Sequence, residues 1–253
     1  MKLITIAATF LVVLCLAPAN VQAATITVTS TDDGGAGTLR DALASATDGD
    51  TIDFSLTTPA TITLTNGELV VTNSVTILGP GPANLAVDGD DNSRVFHVTS
   101  NAVVNISSLT ITNGNASVGG GIYAEASTLT VSNCTLTGNS ASNDGGAINH
   151  YNATLAILDS TLSDNGANRG GAIYAKYGTL TISGSILSGN SAASLVGCIY
   201  NDDGMTLTIV NSTLSDNSAS SIGCINTYAS TLTVSNCTLS GNSSSSDGAG
   251  GIS

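Results

Sequence analysis

The chain has 253 residues, with 5 Lys or Arg against 18 Asp or Glu, for a formal net charge of −13 at pH 7. A polymer this acidic repels phosphate backbones and anionic headgroups, which excludes nucleic acid and anionic membrane surfaces as partners. Charged residues make up only 9 %, but regularly spaced Leu, Ile and Val argue for a buried stripe rather than a disordered Ser/Thr-rich tract.

Lys2 is followed by an apolar run from Leu3 to Ala17 and then Val21-Gln-Ala23, with small residues where a signal peptidase reads. Residues 1–23 are therefore expected to be a secretory signal, and residues 24–253 a single domain that is secreted or held at a surface. The apolar run is too short for a membrane span, and no later segment is long and apolar enough for one. Removing the signal leaves 18 acidic residues and four basic ones, Arg40, Arg94, Arg169 and Lys176, a net charge of −14. Cys134, Cys198, Cys224 and Cys237 also survive, without the C-x-x-C spacing of a zinc site, so neither metal nor cofactor is expected. Cys198 and Cys224 share one repeat column. They read either as small packing residues or as a disulfide between turns, at a spacing of ~4.8 Å.

In chain order, Ile26-Thr-Val28 alternates like a strand and Asp32-Asp-Gly-Gly35 breaks it. Thr38-x-x-Asp41 is a capping box, and Leu39, Ala42, Leu43 and Ala46 fall on one face, predicting a helix over 38–46. In a solenoid such a helix is a lid over the open first turn, so 24–50 reads as an N-terminal cap. Short strands then follow from Thr51 to Ile111 as irregular first coils. Phe96 aligns with Ile122 and Ile148, and Ile106 with Val131 and Ile157. The 34 residues from Ile77 to Ile111 exceed one period, and the segment around Gly79-Pro-Gly-Pro-Ala-Asn84 reads as an inserted loop or an extra strand.

From residue 112 to 253 the repeat is regular. Leu136, Leu162, Leu187, Leu214 and Leu239 stand 26, 25, 27 and 25 residues apart. Each unit offers Gly-Gly-[Ala/Cys]-Ile-[Tyr/Asn], then Thr-Leu-Thr-[Val/Ile], then [Cys/Ser]-Thr-Leu-[Thr/Ser]. Three short strands per ~25-residue coil without an intervening helix predict an all-β parallel β-helix. Asn139, Asn165, Asn190, Asn217 and Asn242 form a column whose amides are expected to stack as a structural ladder. Asn133, Asp159, Asn211 and Asn236 form a second, partial one.

Gly145-Gly-Ala-Ile148 and Gly170-Gly-Ala-Ile173, alternating with Leu-x-x-Asn, resemble the GGAI and FxxN repeats of the polymorphic outer-membrane proteins. Leu replaces the family's Phe, and Val196, Cys198, Ile222 and Cys224 depart from its Gly and Ala. Gly37-Thr-Leu-Arg-Asp-Ala42 is similar to the CSLREA segment that opens many bacterial surface β-helix proteins, with Gly37, Thr38 and Asp41 in place of Cys, Ser and Glu. The resemblance implies an exported, right-handed parallel β-helix at a bacterial cell surface or outer membrane, of adhesin or autotransporter-passenger type. The chain is accordingly expected to be a surface structural or adhesive module without catalysis, with glycans or surface proteins as partners. The resemblance also implies a C-terminal β-barrel that this sequence lacks, and the stop at Ser253 in mid-coil suggests a truncated remnant of a longer surface protein.

Two columns carry candidate chemistry. Tyr123, Asn149, Tyr174, Tyr200 and Asn226 are expected to face outward as an exposed stripe suited to sugar or protein. Glu125, Tyr151, Lys176, Asp202 and Tyr228 form a second column, with Asp203 beside Asp202 and His150 just before Tyr151. Lys176 and Asp202, one coil apart with Asp203, are the residues a carbohydrate-active enzyme of lyase or glycosidase type would use. The same pairing also suits a surface salt bridge. Asp88-Gly-Asp90-Asp91 reads as a solvated turn, and His97 as a half-buried packing residue.

Overall fold

The computed structural model describes residues 23–99, 101–246 and 248–253. The predicted signal segment, 1–23, lies outside the described residues apart from Ala23. Alternating apolar and polar residues send every second side chain inward, and each strand pairs in parallel with its equivalent one turn away. The result is a right-handed parallel β-solenoid of about eight turns with a single short helix near its N-terminal end. Ile106, Val131, Ile157, Ile182 and Ile209 stack down the interior, each fully buried. Every such side chain contributes about 1.5–3 kcal/mol.

Three sheets of 13, 8 and 6 strands form the walls, built differently from the sequence expectation. The Gly-Gly-Ala-Ile and Thr-Leu-Thr segments are two arms of one sheet. In three consecutive turns they fuse into the long strands Ile148–Leu158, Ile173–Ser183 and Ile199–Val210. A left-handed residue bends each strand between its arms: Asn152 at φ 49°, Tyr177 at φ 58° and Gly204 at φ 67°. The second sheet holds the Thr-Leu-Ser strands. The third is made of strands the sequence did not announce, including Ser140–Asp144, Gly166–Ala167 and Ser191–Ala192. Gly, Ser and Ala have little strand preference of their own, so neighbouring turns impose the extended form here.

The surplus near Ile77 is in part an inserted loop, because Ile77 and Val87 stand 10 residues apart in sequence where their partners Ile106 and Ile111 stand 5 apart. Ile77 pairs with Ile106, and Val87 with Ile111, so Leu85–Asp88 is the ordinary second-sheet strand of its turn. The rest of the 34-residue interval comes from comparing non-equivalent positions, Ile77 and Ile111.

Corners follow backbone chemistry. Asn133, Asp159, Asn211 and Asn236 have φ between 47° and 53°, a left-handed conformation that Asn and Asp tolerate best after Gly. Their column is a row of corner residues, with one weak side-chain link, Asn236 Nδ2 to Asn211 Oδ1 at 3.4 Å. At Gly171 and Gly197 an added Cβ would collide with the carbonyl oxygen of the next turn, which keeps the second Gly of each Gly-Gly where Val196 replaces the first.

Asparagine side chains tie the turns together. Asn165 Nδ2 donates to Asn190 Oδ1 at 3.0 Å, and Asn190 Nδ2 to Asn217 Oδ1 at 2.9 Å. Each Oδ1 also accepts the preceding turn's asparagine backbone N–H, and each Nδ2 donates to a leucine carbonyl. A parallel hydroxyl ladder runs through Ser160, Ser185 and Ser212, and Cys134 holds its upper end with its thiol 3.3 Å from the Ser132 carbonyl. Cys198 and Cys224 are fully buried free thiols.

The helix Leu39–Ser45 begins at the N-cap Thr38, whose hydroxyl accepts from Asp41 N–H, and it buries Leu39, Ala42 and Leu43 against the first turns. Asp33 fixes it in place. This carboxylate accepts the backbone N–H of Thr65 and Asn66 at 2.7 and 2.6 Å and pairs with Arg40, which also donates to the Gly67 and Glu68 carbonyls.

Candidate functional site

The outward side of the first arm differs from the rest of the surface. All six tyrosines lie on this arm or at the corner beside it, with three of the five Lys and Arg residues, Arg94, Arg169 and Lys176. Register places His97, Tyr123, Asn149, Tyr174, Tyr200 and Asn226 in one column, and Glu125, Tyr151, Lys176 and Asp202 in the next.

Lys176, Asp202 and Asp203 do meet. Lys176 Nζ lies 3.2 Å from Asp202 Oδ2 and 3.4 Å from Asp203 Oδ2, and Tyr174 OH donates to Asp202 Oδ2 at 2.6 Å. Burial pushes the Asp202 carboxyl up, but hydrogen bonds from Tyr174, the Asp203 N–H and Lys176 outweigh it and hold the group below its ordinary range. The hydrogen bond to Asp202 raises Lys176, and burial followed by the Asp202 contact pushes Tyr174 well above its usual value. At neutral pH the cluster is thus an ionised carboxylate, a protonated amine and a protonated phenol.

The first column is not the exposed stripe that alternation alone implied. Asn149 is 5 % and Tyr174 6 % exposed, while Tyr123, Tyr200 and Asn226 are half-buried. Long side chains from the rim fold over them. Arg169 pairs bidentately with Asp144, at 2.7 and 2.8 Å, and its guanidinium lies 5.2 Å from the Tyr174 ring centre. Tyr200 packs edge-on against Tyr174 at 5.4 Å. Two turns before Tyr174, Arg94 covers Tyr123 at 5.2 Å while bonded to Glu68 and to the Val118 and Gly119 carbonyls. His97 stacks on the same Tyr123 ring at 5.1 Å with Nδ1 3.3 Å from Glu68.

The accessible aromatics are instead Tyr151, Tyr177 and Tyr228, at 41, 39 and 60 % exposure. Tyr151 and Tyr177 meet edge to face at 5.8 Å, and Lys176 lies 5.3 Å from the Tyr177 ring centre. Asn152 and Gly178, which follow Tyr151 and Tyr177 in the chain, line a corner groove of about 430 Å³ together with Asn101 and Thr154. Sequence reasoning did not single out Tyr177, or the pairs Glu68–Arg94 and Asp144–Arg169. Asp144 and Arg169 each immediately precede a Gly-Gly, a shared position that was there to be noticed. His150 turns inward instead of joining the outer column. Asp88 is spent on Asn113 and the Asp90 N–H within its own turn.

Among the described residues no group of three or more His, Cys, Asp or Glu side chains converges to hold a metal ion. Nor is any helix there long and apolar enough to cross a membrane. No curated protein matches the chain. The solved structure of a PL6 family alginate lyase, AlyGC, is similar in fold at 13 % identity and a TM-score of 0.44, over 86 % of this chain and 39 % of that one. The chain thus spans well under half the length of that structure. Residues 93–253 match the family model of the right-handed β-helix region, and the chain belongs to that family.

Proposed function

We propose that this is an exported, cell-surface β-helix module of the polymorphic outer-membrane repeat type, which binds neutral glycans on its tyrosine-bearing face and catalyses nothing. The observation that carries the reading is the segregation of all six tyrosines to one arm and its corner, on a surface otherwise dominated by Ser, Thr and Asn. An exposed phenol ring offers an apolar face to the C–H side of a sugar and a hydroxyl to its rim, at little cost in side-chain entropy. Glu68, Glu125, Asp144, Asp202 and Asp203 outnumber Arg94, Arg169 and Lys176, so the face repels uronates and sulfated chains. The protonation states of Lys176, Asp202 and Tyr174 support a fixed ion pair over a proton shuttle, because a general base needs a free, unprotonated group near pH 7.

The test is affinity electrophoresis and calorimetry on neutral and acidic polysaccharides, with product analysis in parallel. Retardation by neutral glycans, lost in a Tyr151→Ala, Tyr177→Ala, Tyr228→Ala triple variant, is expected. Each ring contributes roughly 1–2 kcal/mol, so the triple variant binds at least a hundredfold more weakly. Release of new reducing ends or unsaturated products, abolished by Asp202→Ala, would replace this reading with a carbohydrate-active enzyme. Preference for acidic polymers would refute the assigned ligand class.

A further inference from the structure

We infer that the solenoid interior carries a hydrated seam, a file of bound water along the inner edge where the two arms of the first sheet meet. Eight buried side-chain nitrogen and oxygen atoms among the described residues lack a protein partner. Six of them line this one edge: Ser127 Oγ, both ring nitrogens of His150, both amide atoms of Asn201 and Thr227 Oγ1. His150 and Asn201 are fully buried. The register Ala124, His150, Ala175, Asn201, Thr227 stacks them on successive turns, with Ser127 one turn before His150 and beside it across the bend.

At one level the seam carries no polar side chain. Between His150 and Asn201 the seam residues are Ala175 and, across the bend, Gly178, which together supply a single methyl group. Two turns separate the His150 and Asn201 backbones, about 9.6 Å at the usual strand spacing. The carbonyls of Ala153 and of His150 itself lie near the imidazole, but neither completes a hydrogen bond to it. Six such atoms left unpaired in a dry interior would cancel much of an ordinary domain's stability margin.

The chemistry of the seam selects the occupant. Ser, His, Asn and Thr supply donors and acceptors together, and none of the four carries a carboxylate or a fixed cation. An ion would sit there without a counter-charge. Burial holds the His150 imidazole in its neutral form, with one donor and one acceptor nitrogen. Water satisfies both kinds of partner at once, bridging side chains one or two turns apart, in the manner of conserved interior waters.

Oxygen-17 magnetic relaxation dispersion, whose amplitude counts waters that outlive molecular tumbling, tests this on the whole protein. The wild type should show long-lived interior water, and Asn201→Leu, which removes two seam atoms at nearly constant volume, should lose at least one water. Ala175→Ser, which places a protein hydroxyl at the level without a polar side chain, should lower the amplitude without disturbing the fold, and it decides the matter if Asn201→Leu does not fold. No dispersion in the wild type would overturn the seam. So would an unchanged amplitude in whichever variant folds.

Discussion

Replacing Asn190 by alanine should destabilise the solenoid far more than the same change at Asn242, although both belong to one column. Asn190 is fully buried. Its Oδ1 accepts Asn165 N–H and Nδ2 at 3.1 and 3.0 Å, and its Nδ2 donates to the Leu162 carbonyl and Asn217 Oδ1 at 3.0 and 2.9 Å. After truncation Asn165 Nδ2 keeps the Leu136 carbonyl, and Asn217 Oδ1 keeps the Asn190 N–H. The Asn165 N–H and Leu162 carbonyl lose their bonds to this side chain inside the core. At ~1–3 kcal/mol for each orphaned group, the loss is about 4 kcal/mol. Asn242 makes equivalent bonds but is half-exposed, so water replaces them and the loss is under about 1 kcal/mol. Urea unfolding followed by far-UV circular dichroism and tyrosine fluorescence reads the difference. At a slope of roughly 3 kcal/mol/M, the Asn190→Ala midpoint falls by about 1.3 M. Each turn touches only its neighbours, so a reduced slope would mark separate melting of the two halves. Equal losses at the two positions would refute the argument that burial sets the worth of a ladder bond.

Two further outcomes follow from buried titratable groups. Burial depresses His150 from 6.5 to about 4 in the folded chain, so the unfolded state binds the proton first as pH falls. Stability should drop between pH 6.5 and 4 by about 3 kcal/mol, and His150→Gln should flatten that segment of the urea-midpoint profile; an unchanged slope would show that folding does not depress the imidazole. Asp202→Ala should cost about 1–3 kcal/mol by stranding the buried Tyr174 hydroxyl, whereas Lys176→Met should lower stability less. Comparing their thermal midpoints checks the order, which would reverse if the ion pair rather than the phenol contact held the cluster.

Much of the scaffold was legible because it is periodic. The alignments of Phe96 with Ile122 and Ile148, and of Ile106 with Val131 and Ile157, are the observed registers. Where the reading slipped, local pattern was silent or ambiguous. The third sheet is written in Ser, Ala and Gly, which carry no strand signal, and Ile77 was paired with the wrong isoleucine because both sit in similar apolar triplets. Alternation gave the direction of the Tyr123–Asn226 column correctly, but direction is not exposure. Arg169 and Asp202 cover Tyr174 from the sides, and no periodicity encodes the reach of a neighbouring arginine.

By itself the sequence determined the solenoid. A 25-residue recurrence of inward Leu and Ile, turning Gly and stackable Asn can bury its apolar stripe only by stacking turn on turn. The tertiary structure decided which chemistry meets. Glu68 with Arg94 and Asp144 with Arg169 are 26 and 25 residues apart, yet adjacent turns bring them into contact. The bend within each long strand turns Tyr151 and Tyr177 out to solvent and the orphaned atoms of His150 and Asn201 into the interior. Strand periodicity fixes only the side to which a residue points. What it touches there depends on the side chains of the turns above and below.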